Sequence, residues 1–296
     1  MRTLLTGGSG FLGSYLQKHL KGEVITLGRS KSNMIQCSLG KEIPRLSEVD
    51  LVVHNAGLAH RVPKSPIEEE MFFETNFTGT KNLLKGIDQL SNKPKAFVFV
   101  STVAVYGFEK GELISEEQAP KPLSPYGKSK WEAEKVLHKW AMENKVNLTI
   151  LRLPLVAGGD NTPGNLGAMM KAIKKGYYRR IGKAEARKSI VLAEDVARLI
   201  PSLVTHSGTY NLTDGANPSM KELEDYLAKF YGRKIRSISS GLVALAAWIG
   251  DHIKGFPINS YRLAKLGESL TFDDSKARSE IGWNPNPVIG NLDLKN

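Results

Sequence analysis

The sequence predicts an α/β protein with a doubly wound parallel sheet and a smaller, mostly helical C-terminal lobe. Strand-like and helix-like segments alternate over the first half of the chain. The strands are uninterrupted apolar runs such as Leu51-Val52-Val53, which are typical of parallel strands covered on both faces. After Pro154 turn-forming residues gather, and from Ser219 onward the pattern is largely helical.

Hydrophobic patterning and turn residues place the individual elements. A short apolar strand opens the chain and passes through a glycine-rich turn into the first helix. A long loop separates the strand at 96–100 from a helix that begins near Tyr126. The predicted strands are 2–5, 23–27, 50–54, 96–100, 146–153, 189–192 and 208–212, and the other predicted helices are 11–21, 68–85, 166–175 and 194–204.

Charge and composition narrow the functional class. The 296 residues include 41 Lys and Arg against 30 Asp and Glu, a formal net charge of +11. These cations are scattered, without the clustered footprint of a nucleic-acid-binding protein, and the surplus suits an anionic ligand such as a nucleotide diphosphate. We therefore expect no nucleic-acid partner. No cluster of ligand-type residues has metal spacing, so we also expect no metal site.

Cysteine usage and hydropathy point to the cytoplasm. Cys37 is the only cysteine, which excludes an intrachain disulfide and favours a reducing compartment. The first residues run directly into the glycine turn without a secretory apolar region. The longest apolar stretch, Leu242 to Ile249, is shorter than the ~20 residues that a spanning helix needs, so we expect no integral membrane segment.

The glycine turn predicts dinucleotide binding. Gly7, Gly10 and Gly13 stand between a predicted strand and a predicted helix. In a Rossmann-type fold the first glycine permits the turn, the second lets the backbone approach a pyrophosphate, and the third lets helix and sheet pack closely. Residues 1–154, with returning segments at about 189–215, are the predicted NAD(P)-binding domain. Residues 155–188 and 216–296 are the predicted substrate lobe, with the ligand site in the cleft between them.

The end of the second strand favours NADP(H), with NAD(H) as the alternative. The segment Gly28-Arg29-Ser30-Lys31 contains no acidic residue. An Asp or Glu there would bind ribose hydroxyls and repel a phosphate, whereas an Arg accommodates a 2′-phosphate.

Three side chains further along have the chemistry to move a proton at an alcohol oxygen. Tyr126 and Lys130 lie one helical turn apart, just after the helix-starting pair Ser124-Pro125, and Thr102 precedes them. A nearby cation favours the phenolate, so Lys130 is expected to lower the pKa of Tyr126 by roughly 1–3 units. Thr102 would hold the substrate oxygen against the phenol.

The motifs as an ordered set are very specific and resemble an extended short-chain dehydrogenase/reductase of the nucleotide-sugar epimerase/dehydratase group. The resemblance spans nearly the whole chain. It rests on Thr6–Gly13, His54-Asn55-Ala56-Gly57, Asn76-Phe77-Thr78-Gly79-Thr80, Ser101–Gly107, Ser124–Lys130, Asn165, Arg187, Asp273–Ala277 and Ile281-Gly282-Trp283.

This resemblance implies roles for particular residues. Catalysis is implied at Thr102, Tyr126 and Lys130, which also makes Thr102 a substrate contact. Asn165 and Arg187 are implied to bind the diphosphate of a UDP-sugar, with the base near Leu166. The implied cofactor-binding residues are Gly7, Gly10, Phe11, Leu12, Gly13, Arg29, Ser30, Asn55, Ala56, Gly57, Asn76, Tyr126, Lys130 and Pro154.

Three reactions share this scaffold. A 4,6-dehydratase needs an acid and a base after the threonine, but Val103 and Ala104 stand there and cannot transfer protons. A 4-epimerase with retained NAD remains an alternative, as does a non-catalytic NAD(P)-binding sensor. Arg29, and Leu155 where the epimerase pattern has asparagine, favour a 4-ketoreductase. The chain looks closest to enzymes that act on UDP-4-keto-6-deoxy-N-acetylhexosamines during surface polysaccharide precursor synthesis.

Other residues yield structural expectations. Trp131, Val136, Leu137 and Trp140 repeat at helical spacing and predict helix packing or a subunit seam; related enzymes often pair through such helices, so a homodimer is expected. His54 is predicted to be a packed residue beside the cofactor, and His60 or Arg61 a possible substrate contact. Leu242–Ile249 is predicted to pack as a helix within the smaller lobe, with a peripheral membrane or partner contact as the alternative.

Overall fold

A computed structural model describes residues 1–59, 61–239, 241, 243 and 267–294. The expected contact at His60 lies outside the described residues, as does the expected helix over Leu242–Ile249 apart from the single residue Val243. Within the described part, no helix is long and apolar enough to cross a membrane.

Strands and helices alternate through the first half, as the sequence predicts. The strands are β1 (Arg2–Thr6), β2 (Glu23–Gly28), β3 (Ile35–Gln36), β4 (Leu51–His54), β5 (Ala96–Thr102), β6 (Gly111–Ile114), β7 (Asn147–Leu153), β8 (Leu155–Ala157), β9 (Arg179–Ile181), β10 (Ile190–Leu192), β11 (Gly208–Asn211), β12 (Arg236–Ile238) and β13 (Leu270–Phe272). The α-helices are α1 (Phe11–His19), α2 (Pro66–Phe72), α3 (Gly79–Asp88), α4 (Pro125–Asn144), α5 (Gly164–Lys175), α6 (Ala193–Leu199), α7 (Met220–Phe230), α8 (Ser275–Ile281) and a last turn, α9 (Val288–Asn291). A π-helical turn (Phe73–Thr78) joins α2 to α3, and 3₁₀ turns span Val103–Tyr106 and Ile200–Thr205.

The central sheet has seven parallel strands in the order β11-β7-β5-β4-β1-β2-β3. The order reverses at β1, so the carboxyl ends of β1, β4 and β5 open side by side on one edge, where ligands bind in sheets of this kind. This confirms the predicted fold class. Within the segment at about 189–215, where some strands are expected to return to the sheet, β11 joins it, whereas β10 pairs with β8 in a separate two-stranded sheet.

Both faces of the sheet are covered, and successive residues of a strand serve opposite faces. Leu5 packs with α1 and α6, while its neighbour Leu4 packs with α3 and α4. Leu137 and Trp140 of α4 are buried in this second layer, so they are helix-packing residues. A third apolar cluster joins α5, α7 and α9 through Leu166, Leu227 and Val288. It is separate from the two clusters that cover the faces of the central sheet.

Candidate active site

The glycine turn is shaped by close backbone approaches. Gly7 has a φ of +70°, and a Cβ there would lie 2.7 Å from the amide nitrogen of Ala56. A Cβ on Gly13 would stand 2.1 Å from the carbonyl oxygen of Gly7. Gly10 is exposed, its amide donates to the Gly7 carbonyl at 3.1 Å, and no side chain caps the helix that follows. The turn thus leaves free amides of α1 beside an open backbone, which is what a diphosphate requires.

The neighbouring residues Phe11 and Leu12 serve the protein core with their side chains. The ring of Phe11 packs edge-on to Tyr15, at 5.5 Å between centroids, and lies against Gly158. Leu12 is buried with the α1 layer. The part of these residues that remains for a cofactor is their main chain at the start of α1.

The segment after β4 is tied to the glycine turn. The Asn55 side-chain amide donates to the carbonyl oxygen of Gly7 at 3.0 Å, and the Ala56 amide donates to Thr6 Oγ1 at 3.0 Å. Gly57 is exposed next to Lys130, since a Cβ on Gly57 would lie 3.2 Å from Lys130 Nζ. The structure therefore brings the glycine turn, the segment after β4 and Lys130 together.

Asn76 is buried beneath this site in the π-helical turn. Its Oδ1 accepts from the Leu58 amide at 2.7 Å, while its Nδ2 donates to the Leu58 carbonyl at 3.1 Å and to Ser129 Oγ at 2.9 Å. The side chain thus fastens the segment after β4 to the start of α4. Both polar atoms of the Asn76 side chain are engaged in these hydrogen bonds, so Asn76 anchors the backbone beneath the site.

His54 links the same elements from the core side. It is fully buried, and its ring nitrogens lie 2.7 Å from Thr6 Oγ1 and 2.9 Å from Thr80 Oγ1. Because Thr80 donates its hydroxyl to the Asn76 carbonyl, His54 Nε2 carries the hydrogen toward Thr80 and Nδ1 accepts from Thr6. Burial first, and then the positive charge of Lys130, lower the pKa of His54 to about 3, which keeps the ring neutral.

A test of this neutral ring is the acid stability of a His54→Gln variant. The pKa of His54 in the folded protein, about 3, lies below the ordinary value of 6.5. Between these two pH values the unfolded chain therefore binds a proton at His54 more readily than the folded chain does. The stability contributed by neutral His54 is complete above pH 6.5 and is lost as the pH falls toward 3. Between about pH 6.5 and pH 4.5 we expect the wild type to lose roughly 2–3 kcal/mol more unfolding free energy than the variant, as measured by urea denaturation. Parallel losses in the two proteins would contradict a buried neutral ring.

The candidate trio of Thr102, Tyr126 and Lys130 meets at the carboxyl end of β5. Thr102 is its last residue, and the Thr102 hydroxyl accepts from the Ala104 amide at 3.2 Å and interacts with the Tyr126 side chain. Tyr126 stands in the first turn of α4, where Ser124 caps the helix by accepting from the Gly127 amide at 3.1 Å and Pro125 opens it. Helix start and strand end thereby place the phenol and the hydroxyl together.

The pKa of Tyr126 moves in the direction opposite to the one expected from the spacing. Burial raises it to about 12, and the nearby Thr102 side chain only partly opposes this. The Lys130 ammonium makes its described contacts beneath the phenol's helix turn: Nζ donates to the Val100 carbonyl at 2.8 Å and stands 4.5 Å from the centre of the Phe99 ring. Tyr126 is thus a protonated phenol at neutral pH.

Lys130 itself is 4% exposed, and burial lowers its pKa to about 8, with Glu134 acting in the opposite direction. Sequence reasoning missed the groups that hold it, Val100, Phe99 and Glu134. The position of Glu134, four residues beyond Lys130, could have indicated that it lies on the same helix face. A glutamate in a helix is most often solvated, however, and the burial of this one cannot be predicted from the sequence.

The remaining predicted site residues belong to other elements, and Pro154 among them directly follows Leu153, the strand partner of Thr102. Arg29 and Ser30 are exposed in the turn after β2, and Pro154 is half-buried between β7 and β8. Asn165 is exposed in the first turn of α5, where Leu166 is buried. Arg187 is exposed and donates to the Asn217 carbonyl at 3.0 Å. No hydrogen bond or ion pair within the described ranges joins these residues to Tyr126.

Arg187 is nevertheless connected to the end of β5 through the C-terminal segment. Its amide donates to Ser269 Oγ at 3.0 Å, and the following strand, β13, pairs with β6. Phe272 of β13 stacks on Tyr106, at 5.7 Å between ring centres. Tyr106 ends the 3₁₀ turn that follows Thr102. Through these contacts Arg187 is linked to the edge of the sheet where β5 ends.

Comparison with known proteins identifies the family of the chain. The model of the NAD dependent epimerase/dehydratase family matches residues 3–213. The UDP-glucose 4-epimerase of Vibrio cholerae is 29% identical over 95% of this chain and 90% of its own. The N-acetyl-α-D-glucosaminyl-diphospho-ditrans,octacis-undecaprenol 4-epimerase of Escherichia coli O157:H7 is 27% identical over 93% and 88%.

Solved structures share the fold. The UDP-glucose 4-epimerase of Thermotoga maritima, solved with UDP-glucose, superposes with a TM-score of 0.72 at 24% identity, covering 96% of this chain and 94% of that one. Other chains of this fold were solved with NADPH or with NAD. Because the family model covers most of the chain, the protein belongs to the NAD dependent epimerase/dehydratase family and is an enzyme of the extended short-chain dehydrogenase/reductase type.

Proposed function

We propose that the protein uses NADPH to reduce the C4 ketone of a UDP-linked 6-deoxy amino sugar, in the synthesis of surface polysaccharide precursors. The observation that carries this proposal is the placement of Tyr126 and Thr102 together at the carboxyl end of β5, with Lys130 one helical turn further along α4. A phenol is protonated at neutral pH, and burial raises the pKa of Tyr126 further, so the group is in the form that donates a proton to a developing alkoxide.

The residues present fit a dinucleotide. Gly7, Gly10, Gly13 and the start of α1, with the main chain of Phe11 and Leu12, would hold the diphosphate. Asn55, Ala56, Gly57 and Pro154 would line the nicotinamide half, above the Asn76 anchor, and Lys130 with Tyr126 would reach its ribose. When bound, NADPH supplies the hydride.

Proton transfer would then be the work of the trio. Thr102 would hydrogen-bond the C4 oxygen and orient it toward Tyr126. Tyr126 would donate its proton as negative charge develops on that oxygen, and the buried Lys130 ammonium would stabilise the tyrosinate left behind.

The sugar nucleotide is proposed to bind between the cofactor domain (1–154 with about 189–215) and the lobe of 155–188 and 216–296. Asn165 and Arg187 would bind the diphosphate by charge-assisted hydrogen bonds, with the uracil near Leu166. The binding of UDP-glucose by the Thermotoga maritima relative supports a UDP-sugar. We further propose a homodimer working in the cytoplasm.

The test is NADPH oxidation with UDP-4-keto-6-deoxy-N-acetylhexosamines. Stoichiometric loss of NADPH absorbance, with the C4 alcohol as product, is expected. Absence of NADPH oxidation with these ketones would overturn the reductase proposal.

An Arg29→Asp variant tests the cofactor preference. The exposed Arg29 at the end of β2 would bind the 2′-phosphate of NADPH, and an aspartate there would repel it. Hydrogen bonds to charged groups are worth about 1.5–3 kcal/mol, so NADPH affinity should fall roughly 10- to 150-fold while NADH affinity rises. Lys31→Ser is the matched control for lost charge in the same turn. Unchanged selectivity in Arg29→Asp would place the 2′-phosphate elsewhere.

A 4-epimerase with retained NAD is the second candidate. The two curated relatives described above, both matched over more than 90% of this chain, are named as 4-epimerases. An epimerase returns the hydride it removes, so it would interconvert UDP-N-acetylglucosamine and UDP-N-acetylgalactosamine without added NADPH. Tightly retained NAD in the purified protein, together with that activity, would favour this candidate over the reductase.

A further inference from the structure

Helix α4 contains a second buried charge one turn beyond Lys130. Glu134 has no exposed surface, and Arg152 of β7 is 4% exposed. Residues four apart lie on the same helix face, so Glu134 and Lys130 point to the same side of α4. A carboxylate buried without partners would be very costly, and its neighbours therefore decide its state.

Two groups hold the Glu134 carboxylate. The Ser101 hydroxyl donates to Glu134 Oε1 in a short hydrogen bond. Arg152 donates from Nη2 to Oε2 at 2.7 Å and from Nε to Oε1 at 3.3 Å. The guanidinium in turn lies 4.7 Å from the centre of the Tyr106 ring. The carboxylate is thus fixed in place by a hydroxyl donor and a cationic partner.

Among the residues that the structure describes, Lys130 has no direct partner of full negative charge. Its hydrogen-bond acceptor is the Val100 carbonyl, and its other neighbour is the face of Phe99. The titratable groups around it are Tyr126 and Glu134 from α4, the neutral His54 from β4, and Arg152 from β7, already paired with Glu134. In the part of the chain that the structure describes, Glu134 is the carboxylate whose charge favours the ammonium against burial.

We propose that Glu134 is a positioning residue that keeps the buried Lys130 ammonium charged during turnover, with Ser101 and Arg152 holding its carboxylate. The inference rests on the proposed function, in which Lys130 assists Tyr126. It gives three consecutive residues at the end of β5 distinct tasks: Val100 holds Lys130, Ser101 holds Glu134, and Thr102 meets Tyr126.

The test is the pH profile of NADPH oxidation in Glu134→Gln, which keeps the side-chain shape but removes the charge. A charged neighbour shifts a pKa by about one unit or more, so the alkaline limb of kcat should move down by about one pH unit. Glu132→Gln is the matched control, because Glu132 lies on the same helix and pairs with Lys135 near the surface, at 2.8 Å. Its alkaline limb should stay where the wild type has it.

A double variant separates electrostatics from folding. Glu134→Gln alone leaves Arg152 buried and unpaired, which should lower Tm by roughly 10 °C. Glu134→Gln/Arg152→Met removes both charges and should recover most of that loss. Because Arg152→Met also removes a cation that disfavours the Lys130 ammonium, the double variant tests folding alone, and its recovered Tm would show that the loss in the single variant comes from unpaired Arg152. The electrostatic role is read from Glu134→Gln well below its Tm, where an alkaline limb at the wild-type position would overturn the inference.

A direct titration keeps this inference distinct from the proposed function. In protein labelled with ε-¹³C-lysine, the resonance missing from Lys130→Arg identifies Lys130 and reports its pKa without any sugar. A lower pKa in Glu134→Gln supports the inference even if no ketosugar is reduced, an outcome that would overturn only the proposed reaction. An unmoved Lys130 titration in an enzyme that does turn over would overturn the inference alone.

Discussion

Tyr126→Phe is expected to abolish turnover while leaving NADPH binding nearly intact. The substitution removes the hydroxyl that would donate a proton to the C4 oxygen. It keeps the aromatic ring, whose centre lies 6.2 Å from the centre of the Phe72 ring. General acid catalysis contributes typically 10²–10⁴-fold, so kcat should fall by at least about that factor. NADPH oxidation gives kcat, and NADPH fluorescence titration gives affinity.

A Tyr177→Phe variant is the matched control. Tyr177 is 62% exposed in the turn before β9, so the same loss of a hydroxyl there should leave kcat and affinity unchanged. Normal turnover by Tyr126→Phe would show that another group donates the proton.

Gly13→Ala should damage both stability and cofactor binding. The added methyl would stand 2.1 Å from the Gly7 carbonyl oxygen and 2.6 Å from that of Gly8, and both are main-chain atoms that cannot swing aside. Overpacking costs typically 1–3 kcal/mol, and here we expect about 3 kcal/mol of unfolding free energy to be lost. Because the turn itself must move, NADPH affinity should fall more than about tenfold.

Gly10→Ala is the informative comparison. Its methyl would stand 3.3 Å from the Gly7 carbonyl oxygen, a tight contact but far looser than at Gly13, and φ is −77° there, so much less stability should be lost than in Gly13→Ala. NADPH affinity should still fall, because the methyl would stand where a diphosphate approaches the backbone. Wild-type affinity in Gly10→Ala, measured by fluorescence titration, would place the diphosphate away from this turn.

The central fold could be predicted because its strands leave a strong pattern. Leu51-Val52-Val53 and Ala96–Val100 are apolar runs of the length expected for strands buried on both faces, and the glycine turn fixes the first crossover. The shorter strands β3, β8 and β9 were missed because two or three residues cannot display a period. The pairing of β10 with β8 could not be predicted, since pairing depends on the tertiary path of the chain.

The residue types of the candidate trio could be recognised, but their electrostatics could not. The spacing of Tyr126 and Lys130 predicts a shared helix face, yet it does not reveal that the ammonium donates to Val100. Nor does it reveal the burial that raises the pKa of Tyr126. Desolvation arises from the whole packed environment, and it outweighs a pairwise contact inferred from four-residue spacing.

The widened turn at Phe73–Thr78 has a consequence for how the chain tolerates change. A π-helical turn arises when one extra residue is accommodated locally, so the helices before and after it keep their rotational phase. Phe72 on one side and Leu83 on the other both face the interior, while Asn76 between them turns toward Leu58 and Ser129. Deletion of a single residue from this turn would therefore yield an uninterrupted helix with intact packing that no longer fastens the loop after β4.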